Sequence, residues 1–404
     1  MGIQPTGTGV VKPREARDLR ALSTEFNRDP YPVYAQLHQE GPVHWVRMPD
    51  GQELWLVVGF EEARAALADQ RLSKDLAQIG ASSLDQELLG PHLLVSDPPR
   101  HTRLRRLVSR EFTPRRVEAM KDWVQQHADR LLDEMLRLDR ADLIESYAFP
   151  LSIGVICELL GVPSMDRIAF RAWSNAINAP IGIQEKLAAF RELAEYLASL
   201  IESKRKDQGD DLLSTLIRTT DEDGDRLSPE ELRSMAYLLL SAGHETTVNL
   251  ISNGVHALLR HPRQLEELRN DFGLLDSAVE EMLRYEGPIE MATFRFALEP
   301  VPIAGTIIPA GDPVLVAVAA ANRDKHRFDV PERFDIQRNS QGHLAFGHGI
   351  HYCLGAPLAR MEGVIAIRSL LKRCPDLALN AESDELNWLP GSLLRGVRRL
   401  PVRW

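Results

Sequence analysis

Three cysteines in 404 residues are too few for a disulfide framework and point to a reducing compartment. No run approaches the ~20 apolar residues that a membrane-spanning helix needs. Nor does a charged, apolar and small-residue succession mark a signal peptide. Met1-Gly2-Ile3-Gln4-Pro5-Thr6 fits an N-myristoylation pattern only formally. Gly/Ser/Pro-rich linkers, repeats and low-complexity segments are missing too, so a single domain is expected over residues 1–404, with 1–25 as a flexible lead. The formal charge of −10 argues against general nucleic-acid binding. Gly7-Thr8-Gly9 and Gly347-His348-Gly349 both lack the third glycine of a dinucleotide fingerprint. These absences describe a cytoplasmic protein with neither membrane nor nucleic acid as its partner.

What is present is a large apolar fraction, 44% of the chain, patterned mostly as helix. A hairpin reads at Val43 to Met48 and Glu53 to Val58 around Pro49-Asp50-Gly51. Helical periods follow at Glu61 to Asp69, Val117 to Leu136 and Glu185 to Lys206. A β-rich island lies near Val301 to Val318, punctuated by Pro302, Gly305, Pro309, Gly311 and Pro313. The expectation is a mainly α fold with small β-sheets.

The richest segment is Phe346-Gly347-His348-Gly349-Ile350-His351-Tyr352-Cys353-Leu354-Gly355. One cysteine stands where a glycine-rich loop meets a helix, read from about Leu354 to Arg373 with Pro357 in its first turn. A helix N-terminus and free backbone N–H groups favour a thiolate there. Gly349 and Gly355 would let the backbone pass under a flat ligand. Phe346 offers a packing face and His351 a donor. These parts suit an axial thiolate on haem iron. A zinc site of His348, His351 and Cys353 is the rival, although structural zinc commonly takes four ligands and no second pair appears. A merely buried structural cysteine is the other alternative.

Ser228-Pro229-Glu230-Glu231 starts the longest helix, which nothing breaks before His261-Pro262. Its centre is Ala242-Gly243-His244-Glu245-Thr246-Thr247. Gly243 costs ~1 kcal/mol in a helix interior, so it has a packing reason or makes room for a ligand. Thr246 can divert a carbonyl and open the ladder, and Glu245 supplies a titratable group.

Phe-Gly-x-Gly-x-His-x-Cys-x-Gly and Ala-Gly-x-Glu-Thr-Thr together resemble the haem loop and oxygen-activating helix of the cytochrome P450 superfamily. Within its soluble bacterial class, the resemblance from Asp29 to Trp404 is nearest to actinobacterial macrolide and polyketide hydroxylases of the pikromycin type. It implies a triangular helical prism with a long helix over haem b, and Cys353 as the axial ligand. Phe346, Gly347, His351, Gly355, Ala242 and Gly243 would contact the haem. His101, Arg105, Arg295 and His351 would clamp its propionates. Glu245 and Thr246 would deliver protons to dioxygen. Glu281, Arg284 and Arg333, in Glu-x-x-Arg and Pro-Glu-Arg-Phe, would form a structural triad.

Seven arginines between Arg100 and Arg116 face one acid, Glu111. That bias suits an acidic electron donor, a ferredoxin served by its reductase. The resemblance places the substrate pocket in variable segments: Leu94, Val95, Ile181, Leu238, Leu239, Ala242, Glu290, Met291, Ala292, Leu393 and Leu394. They are mostly apolar, as a bulky hydrophobic ligand needs. Asp85, Glu87 and Glu290 could pair with an amino sugar. Hydroxylation is the expected outcome, with epoxidation as a variant. Oxidative coupling, a peroxygenase reaction and a non-catalytic haem module are the alternatives.

Overall fold

The long helix is set by its first residues. Ser228 Oγ accepts from the Glu231 N–H at 3.1 Å, and the Glu231 carboxylate accepts from the Ser228 N–H at 2.9 Å. Pro229 follows, where a missing N–H costs nothing. From this capping box the helix runs over Pro229–Arg260 as 32 unbroken residues, about 48 Å at 1.5 Å each. It threads the largest apolar core, packed against the helices Phe149–Leu160, Leu275–Tyr285 and Ala356–Arg373.

A computed structural model gives this architecture and describes residues 15–19, 23–48, 51–82, 84–110, 112–163, 166–178, 182–219, 224–382, 385–389 and 393–404. Residues 1–14, the Pro49-Asp50 turn, Glu111 and Ile181 lie outside that set. The fold is mainly α with three small sheets. The other expected helices appear within a few residues of their predicted ends, as Phe60–Ala68, Pro114–Met135 and Ile183–Lys206. None of the helices among the described residues is long and apolar enough to cross a membrane.

The largest sheet is assembled from distant pieces. Val43–Arg47 and Glu53–Val57 form the expected hairpin, with Trp45 opposite Trp55. Pro313–Val316 then adds in parallel, Arg295–Ala297 antiparallel to it, and Leu72–Ser73 at the edge. Pairing Ser73 with Phe296 brings Lys74 beside Arg295 although more than 200 residues separate them.

Glu281 and Arg284 share one face of the Leu275–Tyr285 helix, and both side chains are fully buried. Arg284 Nε donates to Glu281 Oε2 at 2.7 Å and Nη2 to Oε1 at 2.8 Å. Its remaining N–H groups reach the carbonyls of Asn322 (3.0 Å), Pro331 (2.9 Å) and Arg333 (3.2 Å). All five guanidinium donors are therefore engaged.

The expected third member is corrected. The Arg333 side chain is 66% exposed and pairs with Asp335, lending the cluster only its carbonyl. Arg338, 12% exposed, brings Nε to 3.4 Å from Glu281 Oε1. Ser340 Oγ and the Asp335 N–H complete the carboxylate's partners at 2.6 and 2.9 Å. The turn after Pro331 faces Arg333 outward, so the buried cation comes from five residues later. Arg338→Ala should lower the melting temperature by several degrees, whereas Arg333→Ala leaves it unchanged. Thermal unfolding of both variants checks this, and equal losses would return the role to Arg333.

Candidate active site

Cys353 sits between a turn at Gly349–His351 and the helix Ala356–Arg373. The loop before it is folded on itself: the Gly347 N–H donates to Leu344 O at 2.8 Å and the Cys353 N–H to Phe346 O at 2.9 Å. Gly347 and Gly349 take φ of +73° and +74°, where a Cβ is costly. At Gly349 a Cβ would also stand 2.9 Å from Ala68 Cα. This glycine thus also answers to the neighbouring Phe60–Ala68 helix.

The sulfur is half-buried and accepts from the N–H groups of Gly355 and Ala356, at the start of its helix. Burial pushes the Cys353 thiol up, and these donors with Arg105 and Arg360 oppose it without winning. The expected pull of the helix end and its N–H groups toward a thiolate is present, but desolvation outweighs it. A cation seated on the sulfur would supply the difference. Among the described residues no group of three or more His, Cys, Asp or Glu is arranged to hold a metal, which removes the zinc alternative of His348, His351 and Cys353.

Beside this loop, cations crowd together. The His101 and His351 rings lie 4.4 Å apart between centroids. Both ring nitrogens of His101 are buried without a hydrogen-bond partner. Burial and then Lys74, His101 and two arginines press the His351 imidazole down to about 2. Burial lowers Arg295 to about 10, while burial and then Arg295 depress Lys74. Arg105 is half-buried. The acid acting on this group is Asp97, itself held by Ser73 and the Lys74 N–H. Lys74 and Arg295, which repel each other, stand with Arg105 and an orphaned imidazole as a basic cluster whose chemistry suits an anion of more than one charge. Lys74 went unnoticed in the sequence; only the Ser73–Phe296 pairing reveals it.

The central helix is buried along most of its middle, yet Leu238, Leu239, Ala242, Glu245 and Thr246 retain accessibility. Their spacing marks one face of the helix. Thr246 Oγ1 donates to Ala242 O at 2.9 Å, but the helix stays continuous, so the ladder is not opened. Gly243 is accounted for by packing: a Cβ there would meet Ile156 Cδ1 at 2.8 Å. That contact with the Phe149–Leu160 helix gives the glycine a packing reason, and Gly243 itself stays partly accessible.

Of the expected pocket residues, Leu94, Val95, Ala292 and Leu394 are half-buried and Leu393 is exposed. Glu290 and Met291 are not available to a pocket. Tyr34 donates to Glu290 Oε1 at 2.8 Å, and Met291 is fully buried in the core under the Tyr31–Glu40 helix. Ile289, missed in the sequence, instead bridges to Leu394. The loop behind Leu394 is firmly tied. Arg395 donates to Glu286 at 2.8 Å and to the carbonyls of Asn27 (2.5 Å) and Arg28 (2.8 Å).

In the arginine-rich stretch, Arg103 is spent on Asp225 (2.6 Å) and Glu231 (2.7 Å), and Arg105 acts on Cys353. Arg100, Arg106, Arg110 and Arg115 are exposed.

Comparison with known proteins agrees with this geometry. The family model for cytochrome P450 matches residues 164–395. Cytochrome P450 monooxygenase PikC of Streptomyces venezuelae is 57% identical over 100% of this chain and 97% of its own. The 6-deoxyerythronolide B hydroxylase of Saccharopolyspora erythraea is 46% identical, covering 94% and 97%. The structure of the Bacillus subtilis bacillaene polyketide synthase cytochrome P450 PksS superimposes with a TM-score of 0.88 at 40% identity, covering 94% and 97%.

Two expectations follow from the charges. Arg295→Met removes one repelling cation, so the protein without a bound anion should melt higher while haem is retained less well. Calorimetry and a haem-transfer assay check the opposite signs; losses in both would mean a purely structural arginine. Burial raises Glu290 to about 7, opposed by Arg395 and Tyr34. A carboxyl raised on folding contributes stability at low pH that is lost as pH rises from ~4.3, its unfolded value, to about 7. Glu290→Gln should therefore gain stability relative to the parent above pH ~7 and none below pH ~4, read from urea unfolding at both ends.

Proposed function

We propose that this chain, which belongs to the cytochrome P450 family and is a P450 monooxygenase, hydroxylates a bulky apolar secondary metabolite of the macrolide or polyketide class. The family carries haem bound by a cysteine thiolate. The residues here fit that group: a sulfur faced by two helix N–H donors stands beside Lys74 and Arg295, which share Asp97, and beside a histidine with no hydrogen-bond partner at either ring nitrogen. That pairing is the observation that carries the reading. Cys353 would be the axial ligand, and Lys74, His101, Arg105, Arg295 and His351 would receive the two propionates. Two carboxylates and Asp97 would balance Lys74, Arg105 and Arg295, leaving the histidines as neutral donors.

When bound, the haem supplies the iron that takes up electrons and activates dioxygen. The chain's own residues supply the rest. Leu238, Leu239, Ile289, Ala292 and Leu394 give an apolar wall that excludes water and holds one C–H in place. The Thr246 hydroxyl, oriented by its bond to Ala242 O, accepts a hydrogen bond from water, and Glu245 passes a proton towards it from solvent. Neither Glu290 nor Met291 takes part.

Electrons come from a separate redox protein of the ferredoxin kind. We place its docking on the exposed Arg100, Arg106, Arg110 and Arg115, with Arg103 withdrawn into its ion pairs. Sequence relatedness over 94% of the chain to a 6-deoxyerythronolide B hydroxylase supports the substrate class.

Thr246→Ala should leave haem content and substrate affinity intact while product per electron consumed falls at least tenfold and peroxide rises; unchanged coupling would remove the proton-delivery role. A macrolide and polyketide library, screened by the low-to-high-spin optical shift, tests the substrate class. Tight binding confined to other classes would refute it.

A further inference from the structure

One cluster of three titratable side chains, Glu280, His343 and Arg360, has no part in the chemistry above. Glu280 neighbours Glu281 on the Leu275–Tyr285 helix but stays out of the Arg284 pair. Its buried carboxylate receives Arg360 in a fork, Nε to Oε1 at 2.6 Å and Nη2 to Oε2 at 3.1 Å. His343 Nε2 stands 3.3 Å from Oε2 on the other side. The Ala345 N–H donates to His343 Nδ1 at 3.2 Å, so the ring proton sits on Nε2 and faces the acid. Burial works against ionising Glu280, yet His343 and Arg360 outweigh it and bring the carboxyl down to about 2.

The other end of this trio reaches the cysteine loop. The Arg360 guanidinium carbon lies 4.5 Å from the centre of the Phe346 ring, and Tyr352 is a further hydrogen-bond partner. The carbonyl of Phe346 accepts the Cys353 N–H at 2.9 Å. Arg360 is also one of the two arginines whose charge acts on the Cys353 sulfur. A half-exposed arginine would ordinarily sample many rotamers; here an ionised, buried acid grips it by two N–H groups.

We propose that Glu280 is a positioning residue that holds the Arg360 guanidinium against the cysteine loop, and that their two opposed charges set the electron density Cys353 gives to its iron. The proposal rests on Cys353 being the axial ligand. Glu280→Gln keeps the shape and an acceptor for Arg360 but removes a negative charge, so the field at the sulfur turns more positive and the reduced state is favoured. Arg360→Gln removes the positive charge and leaves Glu280, so the reduced state is disfavoured.

Spectroelectrochemical titration of the purified holoenzyme and its variants tests this. Glu280→Gln should raise the reduction equilibrium constant about threefold and Arg360→Gln lower it by a similar factor, shifts of ~30 mV in opposite directions. Arg360→Lys, which keeps the charge without the fork, should stay closer to the parent than Arg360→Gln. A loop merely loosened by either substitution would admit water in both and move them the same way; that result, or no shift in either, overturns the proposal. Should Glu280→Gln not retain haem, the Gln and Lys variants at the half-exposed Arg360 still decide it, since equal potentials for the two would exclude a charge effect. Failure of the axial-ligand reading would show separately, as a parent enzyme whose reduced carbon monoxide complex lacks the thiolate-type band.

Discussion

The buried pair of Glu281 and Arg284 is the constraint on which the rest of the molecule hangs. Two opposite charges removed from water are tolerated only when every lone pair and proton is matched. Arg284 meets that condition by drawing carbonyls from Asn322, Pro331 and Arg333 onto one guanidinium. Glu281 does the same from the other side with the Asp335 N–H and Ser340. A stretch with little regular structure of its own is thereby pinned to a helix of the core. That stretch leads directly into the glycine loop and Cys353. Losing one partner of such a pair generally costs 3–5 kcal/mol, so the loop is held by something close to all-or-none.

A second theme is charge left deliberately unfinished. Around Glu281 every charge has an answer. Beside Cys353, Lys74 and Arg295 have to share Asp97, and His101 presents two buried nitrogens to nothing. On the proposed reading an anionic cofactor would relieve the repulsion between Lys74 and Arg295, linking folding to cofactor retention through one cluster. The sulfur obeys the same logic, since burial disfavours its charge and a bound metal cation would favour it.

Much of this could be read from residue order, and the exceptions share a cause. Ser228, Pro229 and Glu231 declared the start of the central helix because capping is chemistry between neighbours. The turn-rich run around Cys353 was equally plain. Gly243 was ambiguous because its reason, Ile156, lies on another helix. Arg333 was expected in the buried cluster and Arg338 went unremarked, because nothing local says which way an irregular turn faces. Glu290 looked like a pocket acid until Tyr34 was found to own it. Lys74 was invisible because a two-residue strand carries no periodic signal, and only its non-local pairing sets it beside Arg295.

The grip of Arg395 on the carbonyls of Asn27 and Arg28 has an outcome for how the protein tolerates trimming. Residues near opposite ends of the polypeptide meet through one guanidinium, and Leu394, the neighbour of that arginine, belongs to the wall proposed for the substrate. A protease nick just ahead of Tyr31, far from iron in the chain, would slacken the cavity before it unfolded the body. Fusion partners and purification handles therefore belong upstream of Ser23, where they leave this clasp closed.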